Sequence, residues 1–182
     1  MKYIIANWKM NMNLTETKKW LFDFKNIIEE KTFKNKIVLA PPSVYLEEVS
    51  NFCKINNLFC SSQDVSLYEK GAHTGEVGIF ELKDYCSFSI VGHSERKEPR
   101  EIVIKKTLIC LEHKVTPFVC FINKLDFAAE ASKEKIMCWE DPSNISKNGI
   151  YQKTSIEDIA KMMGDLKQIK KDTVILYGGS VN

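Results

Sequence analysis

One stretch organises the rest of the chain: Ser89-Ile90-Val91-Gly92-His93-Ser94-Glu95-Arg96. Apolar residues lead into a glycine there, and a cluster of titratable side chains follows at once. This pattern predicts a buried strand that delivers His93 and Glu95 to its carboxyl end, where α/β folds place their chemistry. Because imidazole titrates near neutrality, a histidine at that point can act as an acid or as an electrophile. The stretch alone fits a structural histidine equally well, so the rest of the chain has to separate the two interpretations.

The composition indicates one globular domain of ordinary charge. The chain has 182 residues and a formal net charge of +2, and a domain typically has about 100–200 residues. We therefore expect a single domain over residues 1–182. Basic and acidic residues are interspersed, so the sequence indicates neither a nucleic-acid partner nor a membrane partner. It shows no secretory segment and no apolar run of membrane length, and we expect a cytoplasmic protein.

The cysteines are a second compositional signal. None of them forms a Cys-x-x-Cys pair, and all stand in apolar surroundings, so we expect buried, reduced thiols rather than disulfides. Cysteine, histidine and carboxylate residues do not cluster at the spacing of metal ligands, and we expect neither a metal nor an organic cofactor. The six cysteines are Cys53, Cys60, Cys86, Cys110, Cys120 and Cys138.

Strand and helix patterns alternate along the whole chain, which is typical of right-handed βαβ units around a parallel sheet. The first helix has a clear start, because Asn13 and Glu16 fit a capping box. The segment around residues 126–132 has room for only a turn or two of helix. The predicted strands are residues 3–6, 37–40, 58–63, 88–92, 115–120, 136–139 and 174–177. Apolar residues at helical spacing are expected to face the core, among them Ile27, Leu108, Ile156 and Ile169.

Polar side chains follow several of these strands. Residues two apart on a strand face the same way, so a pair of them can point into one cavity. A glycine turn just past a strand can present backbone N–H groups to an anion. Together these strand ends indicate an anionic substrate with one acid and one base beside it. They carry Asn7 and Lys9, then His93 and Glu95, then Glu140, and finally the turn Gly178-Gly179-Ser180.

Five motifs, in order along essentially the whole chain, resemble those of the triosephosphate isomerase family. The resemblance implies a (β/α) TIM barrel and an isomerase that interconverts dihydroxyacetone phosphate and D-glyceraldehyde 3-phosphate through an enediolate, without a cofactor. The five motifs are Asn7-Trp8-Lys9-Met10, Ala40-Pro41-Pro42-Ser43-Val44-Tyr45-Leu46, Gly71-Ala72-His73-Thr74-Gly75-Glu76, Gly92-His93-Ser94-Glu95-Arg96 and Tyr177-Gly178-Gly179-Ser180-Val181.

The same resemblance implies a role for each matching residue. Glu140 is expected to be the base that moves a proton between adjacent carbons, and His93 the neutral electrophile that polarises the carbonyl. Lys9 and Asn7 are expected to hold the substrate and stabilise the enediolate. The remaining expected positions are Gly179, Ser180 and Ser146 for substrate binding, with Ser94, Glu95 and Thr74 in support.

The chain departs from the family pattern in several places. The fifth helix is reduced between Cys120 and Ile136, the sequence stops soon after the seventh strand, and Ser146 and Asn148 replace two glycines of the family's lid. We therefore expect an incomplete TIM barrel of about seven parallel strands. Its terminal strands would be apolar edges, which invite association. We expect a homo-oligomer in which another copy covers these edges.

Three interpretations of the function stay open at this point. The first is an active isomerase acting on a small phosphorylated triose, which the joint presence of Asn7, Lys9, His93 and Glu140 favours. The second is a catalytically impaired relative that serves as an assembly or binding protein, which the altered lid favours. The third, an isomerase for a related phosphosugar, has no feature of its own in the sequence. An isomerase assay separates the first two.

Overall fold

The computed structural model describes residues 2–29, 31–130, 132, 135–142 and 155–179. Within them, strands and helices alternate as the sequence predicts. The strands are β1 Tyr3–Asn7, β2 Lys36–Ala40, β3 Phe59–Ser62, β4 Phe88–Val91, β5 Thr116–Phe121, β6 Ile136–Trp139 and β7 Val174–Tyr177. The α-helices are α1 Leu14–Ile28, α2 Leu46–Ile55, α3 Ile79–Leu82, α4 Arg100–Glu112, α5 Lys124–Glu130 and α6 Ile156–Ile169. Two short 3₁₀ helices cover Ser43–Tyr45 and Ser94–Arg96.

The strands pair in chain order from β1 to β7. The pairings are parallel; Tyr3 stands opposite Lys36 at the start of β1, and Asn7 stands opposite Ala40 at its end. At the far end of this order, β6 pairs with both β5 and β7. Parallel strands joined by helices in this order confirm the predicted fold class, an incomplete TIM-barrel type with about seven strands.

The chain divides into two compact units, which are described separately. Unit 1 is Met1–Ser89 with Glu112–Val115, and unit 2 is Ile90–Leu111 with Thr116–Asn182. The core of unit 1 contains Val38, Leu39, Val49, Val65 and Ile79, each at most 1% exposed. Its first helix starts at the predicted capping box. The Asn13 side chain accepts a hydrogen bond from the Glu16 backbone N–H at 3.0 Å, and the Glu16 carboxylate accepts one from the Asn13 N–H at 2.8 Å.

Unit 2 contains the reduced fifth helix. Helix α5 has seven residues and buries Phe127 completely. Glu130, in its last turn, forms an ion pair with Arg100 of α4. Arg100 Nη1 also donates to the Cys120 carbonyl at 3.1 Å. One guanidinium therefore joins α4, α5 and the end of β5, and the prediction of a short helix in this segment is confirmed.

Four apolar side chains that were expected to face the core are exposed instead. Three of them, Ile27, Ile156 and Ile169, lie at or next to helix ends. There the row of apolar side chains on the inward face of the helix continues beyond the core. The fourth, Leu108, is 49% exposed because α4 buries a different face. That face includes Lys106, whose ammonium lies 2.6 Å from a Glu98 carboxylate oxygen and is buried by this pairing. Apolar periodicity does not anticipate a buried, paired lysine.

Five of the six cysteines are buried as expected, and the sixth is not. All six cysteines are free, five of them buried and Cys138 half-buried.

Candidate active site

The end of β4 places His93. Gly92, between the strand and the histidine, has φ +72°, and a Cβ at this position would lie 2.8 Å from the Val103 side chain. Glycine is therefore required for the turn to pack against α4. The His93 ring then caps the following 3₁₀ helix, with its Nδ1 accepting a hydrogen bond from the Glu95 backbone N–H at 3.2 Å. Since Nδ1 is the acceptor, this hydrogen bond assigns the proton of the neutral ring to Nε2.

Glu140 lies just past β6 and is buried, with 7% of its side chain exposed. Its backbone N–H donates to the Phe121 carbonyl at 2.9 Å, which extends the pairing of β5 and β6 by one residue. Ser94 holds both carboxylate oxygens. Its N–H donates to Oε2 at 2.9 Å, and its hydroxyl donates to Oε1 at 2.7 Å. Such charge-assisted hydrogen bonds allow an ionised carboxylate to be buried.

The same carboxylate lies against the histidine. His93 Nε2 is 3.4 Å from Glu140 Oε1, and the His93 side chain is 18% exposed. A buried carboxylate therefore stands beside an imidazole N–H with little water around either group. This arrangement can supply a proton acceptor and a hydrogen-bond donor to the same small molecule.

Unit 1 places Asn7 and Lys9 at the end of β1. Lys9 has φ +52°, a left-handed conformation that is unfavourable for a side chain of its size. Asn7 Oδ1 accepts a hydrogen bond from the Lys9 N–H at 2.9 Å. Gln63 Nε2 donates to the Lys9 carbonyl at 2.9 Å and to the Ala40 carbonyl at 2.8 Å. These bonds hold the lysine backbone in its strained conformation.

Gln63 is a residue that the sequence analysis left without a role. It follows β3 directly, so its position was visible as a polar side chain at a strand end. Nothing local to Gln63 indicates its partners, because Lys9 is 54 residues away along the chain.

The glycine turn after β7 is packed tightly against β6. Gly178 donates its N–H to the Trp139 carbonyl at 2.8 Å. A Cβ on Gly178 would lie 2.6 Å from Cys138 Sγ, so only glycine fits here without a shift of the sulfur. Gly179 follows in a bend. Ser180, Ser146 and the lid residues 143–149 lie outside the described residues.

The predicted residues thus fall into separate groups. Unit 2 brings His93, Ser94 and Glu140 into contact, with a Glu95 carboxylate oxygen 3.7 Å from His93 Nδ1. Asn7 and Lys9 lie together in unit 1. Thr74 is exposed in the loop of unit 1 between β3 and α3.

No helix among the described residues is long and apolar enough to cross a membrane. In the same part of the chain, no group of three or more histidine, cysteine or acidic residues is arranged to hold a metal ion.

Parallel strands in barrel order, with polar chemistry at their carboxyl ends, define a protein of the TIM-barrel class. Comparison with known proteins gives the family. Residues 2–182 match the family model described as triosephosphate isomerase. The chain therefore belongs to the triosephosphate isomerase family.

Individual relatives agree with this assignment. The chain is similar to the triosephosphate isomerase of Treponema denticola, with 37% identity over 141 residues that cover 75% of this chain and 55% of that protein. It is 30% identical to the enzyme of Prochlorococcus marinus over 200 residues, which cover 98% of this chain and 83% of the relative. The first match therefore spans about half of its relative. The second alignment is longer than the 182-residue chain, so that relative carries internal segments that this chain lacks.

Proposed function

We propose that this protein is an active triosephosphate isomerase, which interconverts dihydroxyacetone phosphate and D-glyceraldehyde 3-phosphate by proton transfer through an enediolate. One observation carries the proposal: a buried carboxylate, Glu140, lies 3.4 Å from the Nε2 of His93. Moving a proton that is α to a carbonyl requires a desolvated base and a donor for the developing oxyanion, both already in place. Family membership supplies the substrate, a phosphorylated triose.

In the proposed reaction, Glu140 removes the proton from one carbon and returns it to the neighbouring carbon. His93 Nε2 donates a hydrogen bond to the carbonyl oxygen, which carries negative charge in the enediolate. The family resemblance assigns the ammonium of Lys9 and the amide of Asn7 to the same anionic substrate, and the backbone amides of Gly179 and Ser180 to its phosphate.

The Ser94 contacts bear on this scheme. Both oxygens of Glu140 accept hydrogen bonds from Ser94, which fix the position of the carboxylate. In the proposed reaction, substrate binding exchanges at least one of these bonds as Glu140 turns an oxygen toward the carbon-bound proton.

We also propose that the protein is a cytoplasmic homo-oligomer built from one domain. The loop between β3 and α3 matches the family's interface motif, and its side chains make contacts within the loop and with His113, which follows α4. The Tyr68 ring stacks on His73 with 3.5 Å between centroids, and a Glu69 oxygen lies 3.2 Å from His113 Nε2. Tyr68 nevertheless remains 51% exposed and Phe80, which follows the loop, 48% exposed, surfaces that a second copy would cover. Light scattering at micromolar concentration tests this part, and a stable monomer would refute it.

The activity is tested by a coupled spectrophotometric assay on the purified full chain, comparing wild type with Glu140→Asp. Shortening the side chain by one methylene withdraws the carboxylate from the substrate carbon, so turnover should fall at least about a hundredfold, the effect of displacing a reacting group by roughly 1 Å. Glu112→Asp, at the exposed end of α4, is the matched control and should retain full turnover. Equal turnover of Glu140→Asp and wild type would remove Glu140 from the mechanism.

The alternative is an assembly or binding protein without turnover. Ser146 and Asn148, which replace two lid glycines of the family, favour it. A well-folded, oligomeric wild type that gives no product in the coupled assay would select this alternative.

A further inference from the structure

Two cysteines stand opposite each other on neighbouring strands next to the candidate site. Cys120 of β5 pairs in register with Cys138 of β6. Strands in a sheet lie about 4.7–4.9 Å apart, and a disulfide joins Cα atoms that are about 4.4–6.8 Å apart. Residues paired across parallel strands also point to the same face of the sheet. The backbone therefore already holds these two thiols, both free, at a separation that a disulfide can bridge.

The sulfur of Cys138 occupies a position next to the catalytic machinery proposed above. Cys138 precedes Glu140 by two residues, so the two side chains project from the same face. Its Sγ lies 2.6 Å from the point where a Cβ on Gly178 would stand, and Glu140 Cγ lies 3.8 Å from that same point. One sulfur atom thus contacts the glycine turn close to the base.

The two thiols differ in access. Cys138 is half-buried, whereas Cys120 is 3% exposed. A hydrogen bond with Cys138 and burial both raise the pKa of the Cys120 thiol, and the charge of Glu140 raises it further. The half-buried Cys138 is therefore the sulfur that a small oxidant reaches first.

We propose that Cys120 and Cys138 form an oxidative modification site, in which hydrogen peroxide converts the two thiols into a disulfide that disables the adjacent site. In the first step, the Cys138 sulfur attacks a peroxide oxygen, the O–O bond breaks, and a sulfenic acid and one water form. In the second step, the Cys120 sulfur attacks the sulfenyl sulfur, the S–O bond breaks, and a second water leaves with the thiol proton. Two thiols lose two electrons and one peroxide gains them.

The disulfide changes the site because it moves the Cys138 sulfur. Bonding to Cys120 draws Sγ toward β5 and away from Gly178, so the glycine turn loses the atom against which it packs. The strand end that carries Glu140 shifts with it. The loss of activity rests on the function proposed above, whereas the disulfide itself does not.

A second cysteine cluster offers the strongest competing site. In unit 1, hydrogen bonds with Cys53 and Cys86 lower the pKa of Cys60 to about 5. Thiolate character favours oxidation, but oxidation also needs access. Cys53 is 2% exposed, and Cys60 and Cys86 are each 4% exposed. Burial of the whole cluster protects it, and the half-buried Cys138 is the better target.

The test treats the full-length reduced protein with hydrogen peroxide, blocks remaining thiols by alkylation, and maps tryptic peptides without reduction. Lysines at 124 and 135 separate the two cysteines into peptides 115–124 and 136–147. We expect these peptides to be cross-linked, the intact chain to lose the mass of two hydrogen atoms, and dithiothreitol to reverse both changes. Isomerase turnover of the oxidised sample should be about a hundredfold below that of the same sample after reduction, as expected for a displacement of roughly 1 Å.

Two variants make the result specific. Cys138→Ala should form no cross-link, and peroxide should leave its turnover at its own untreated level. Cys110→Ala, which removes a buried cysteine of α4, should behave as wild type in both measurements. A cross-link among Cys53, Cys60 and Cys86, or oxidation of Cys138 without a disulfide, would overturn the proposal. A cross-link at Cys120 and Cys138 that leaves full turnover would refute the disabling effect. The cross-link in a protein that is inactive even when reduced would support the modification site and refute the isomerase function.

Discussion

The two units hold their polar strand ends in different ways. In unit 2, the Glu140 carboxylate is held by hydrogen bonds from Ser94 at 2.7 and 2.9 Å, so the side-chain oxygens themselves are anchored. In unit 1, Lys9 is held through its backbone, by Asn7 and Gln63. A carboxylate bound by neighbouring donors can exchange them for a substrate, whereas a backbone fixed at both its N–H and its carbonyl keeps its place. We therefore expect Glu140 to change partners when substrate binds and the Lys9 backbone to keep its place.

The largest effect is expected on the unit 2 side, at the histidine. His93→Leu removes the Nε2–H donor, and turnover should fall about 100- to 1,000-fold, as when one donor to a developing oxyanion is lost. His113→Leu, which changes a histidine in contact with Glu69, is the matched control and should retain turnover. Steady-state kinetics measure both. A His93→Leu variant with wild-type turnover would contradict the role of the ring.

A smaller effect on turnover is expected at Ser94, which donates hydrogen bonds to Glu140. Ser94→Ala removes the hydroxyl that donates to Oε1 and keeps the backbone donor to Oε2. Turnover should fall about tenfold with little change in KM, because the carboxylate loses a hydrogen bond that positions it, and such a bond to a charged group contributes roughly 1.5–3 kcal/mol. Ser94→Thr retains a hydroxyl and should restore most of the turnover. If Ser94→Ala matched wild type in turnover, the hydroxyl would have no part in positioning Glu140.

On the unit 1 side, the expected effect lies mainly in stability. Gln63→Ala leaves the Lys9 and Ala40 carbonyls without their side-chain donor, and the free energy of unfolding should fall by about 1–3 kcal/mol. Relaxation of the Lys9 loop should raise KM more than it lowers kcat. Asn11→Ala removes an exposed amide that donates to the Trp8 carbonyl, and it should lower the free energy of unfolding by less than Gln63→Ala does. Urea unfolding measures the change in stability, and steady-state kinetics measure KM and kcat. A loss confined to kcat would contradict a rigid role for the loop.

The smallest effect concerns the ion pair that supports the end of β5. Burial raises the pKa of Glu130, and the Arg100 guanidinium offsets only part of this rise. Between the ordinary pKa of 4.5 for a glutamate and the raised pKa in the folded state, the folded state binds more protons than the unfolded state, so stability falls as pH rises through that range. Glu130→Gln should remove this contribution to the dependence of stability on pH. Urea unfolding between acidic and neutral pH measures it, and parallel stability profiles for the two proteins would contradict the raised pKa.

Sequence patterns anticipate much of this molecule because they report local properties. Apolar runs predict the strands, and Asn13 with Glu16 predicts the start of α1, since both signals come from residues that are close in sequence. The polar residues at strand ends are visible for the same reason. Their partners are not visible, because Ser94 and Glu140 are 46 residues apart and Lys9 and Gln63 are 54 residues apart.

The sequence predictions that proved wrong, or that could not be made, have the same origin. Leu108 was expected to face the core from its apolar character, but the pairing of Lys106 with Glu98 turns another face of α4 inward. The close approach of the Cys138 sulfur to Gly178 likewise depends on how β6 and β7 align. Spacing along one segment carries no information about such contacts between segments.

The central claim, proton transfer by Glu140 between carbons of a phosphorylated triose, is tested most directly in deuterium oxide. Dihydroxyacetone phosphate is incubated with wild type or with Glu140→Gln, and proton NMR follows deuterium incorporation at the carbons next to the carbonyl. We predict rapid incorporation with wild type and none above the enzyme-free rate with Glu140→Gln, at unchanged thermal stability. Incorporation at the wild-type rate by Glu140→Gln, or none by well-folded wild type, would contradict the claim.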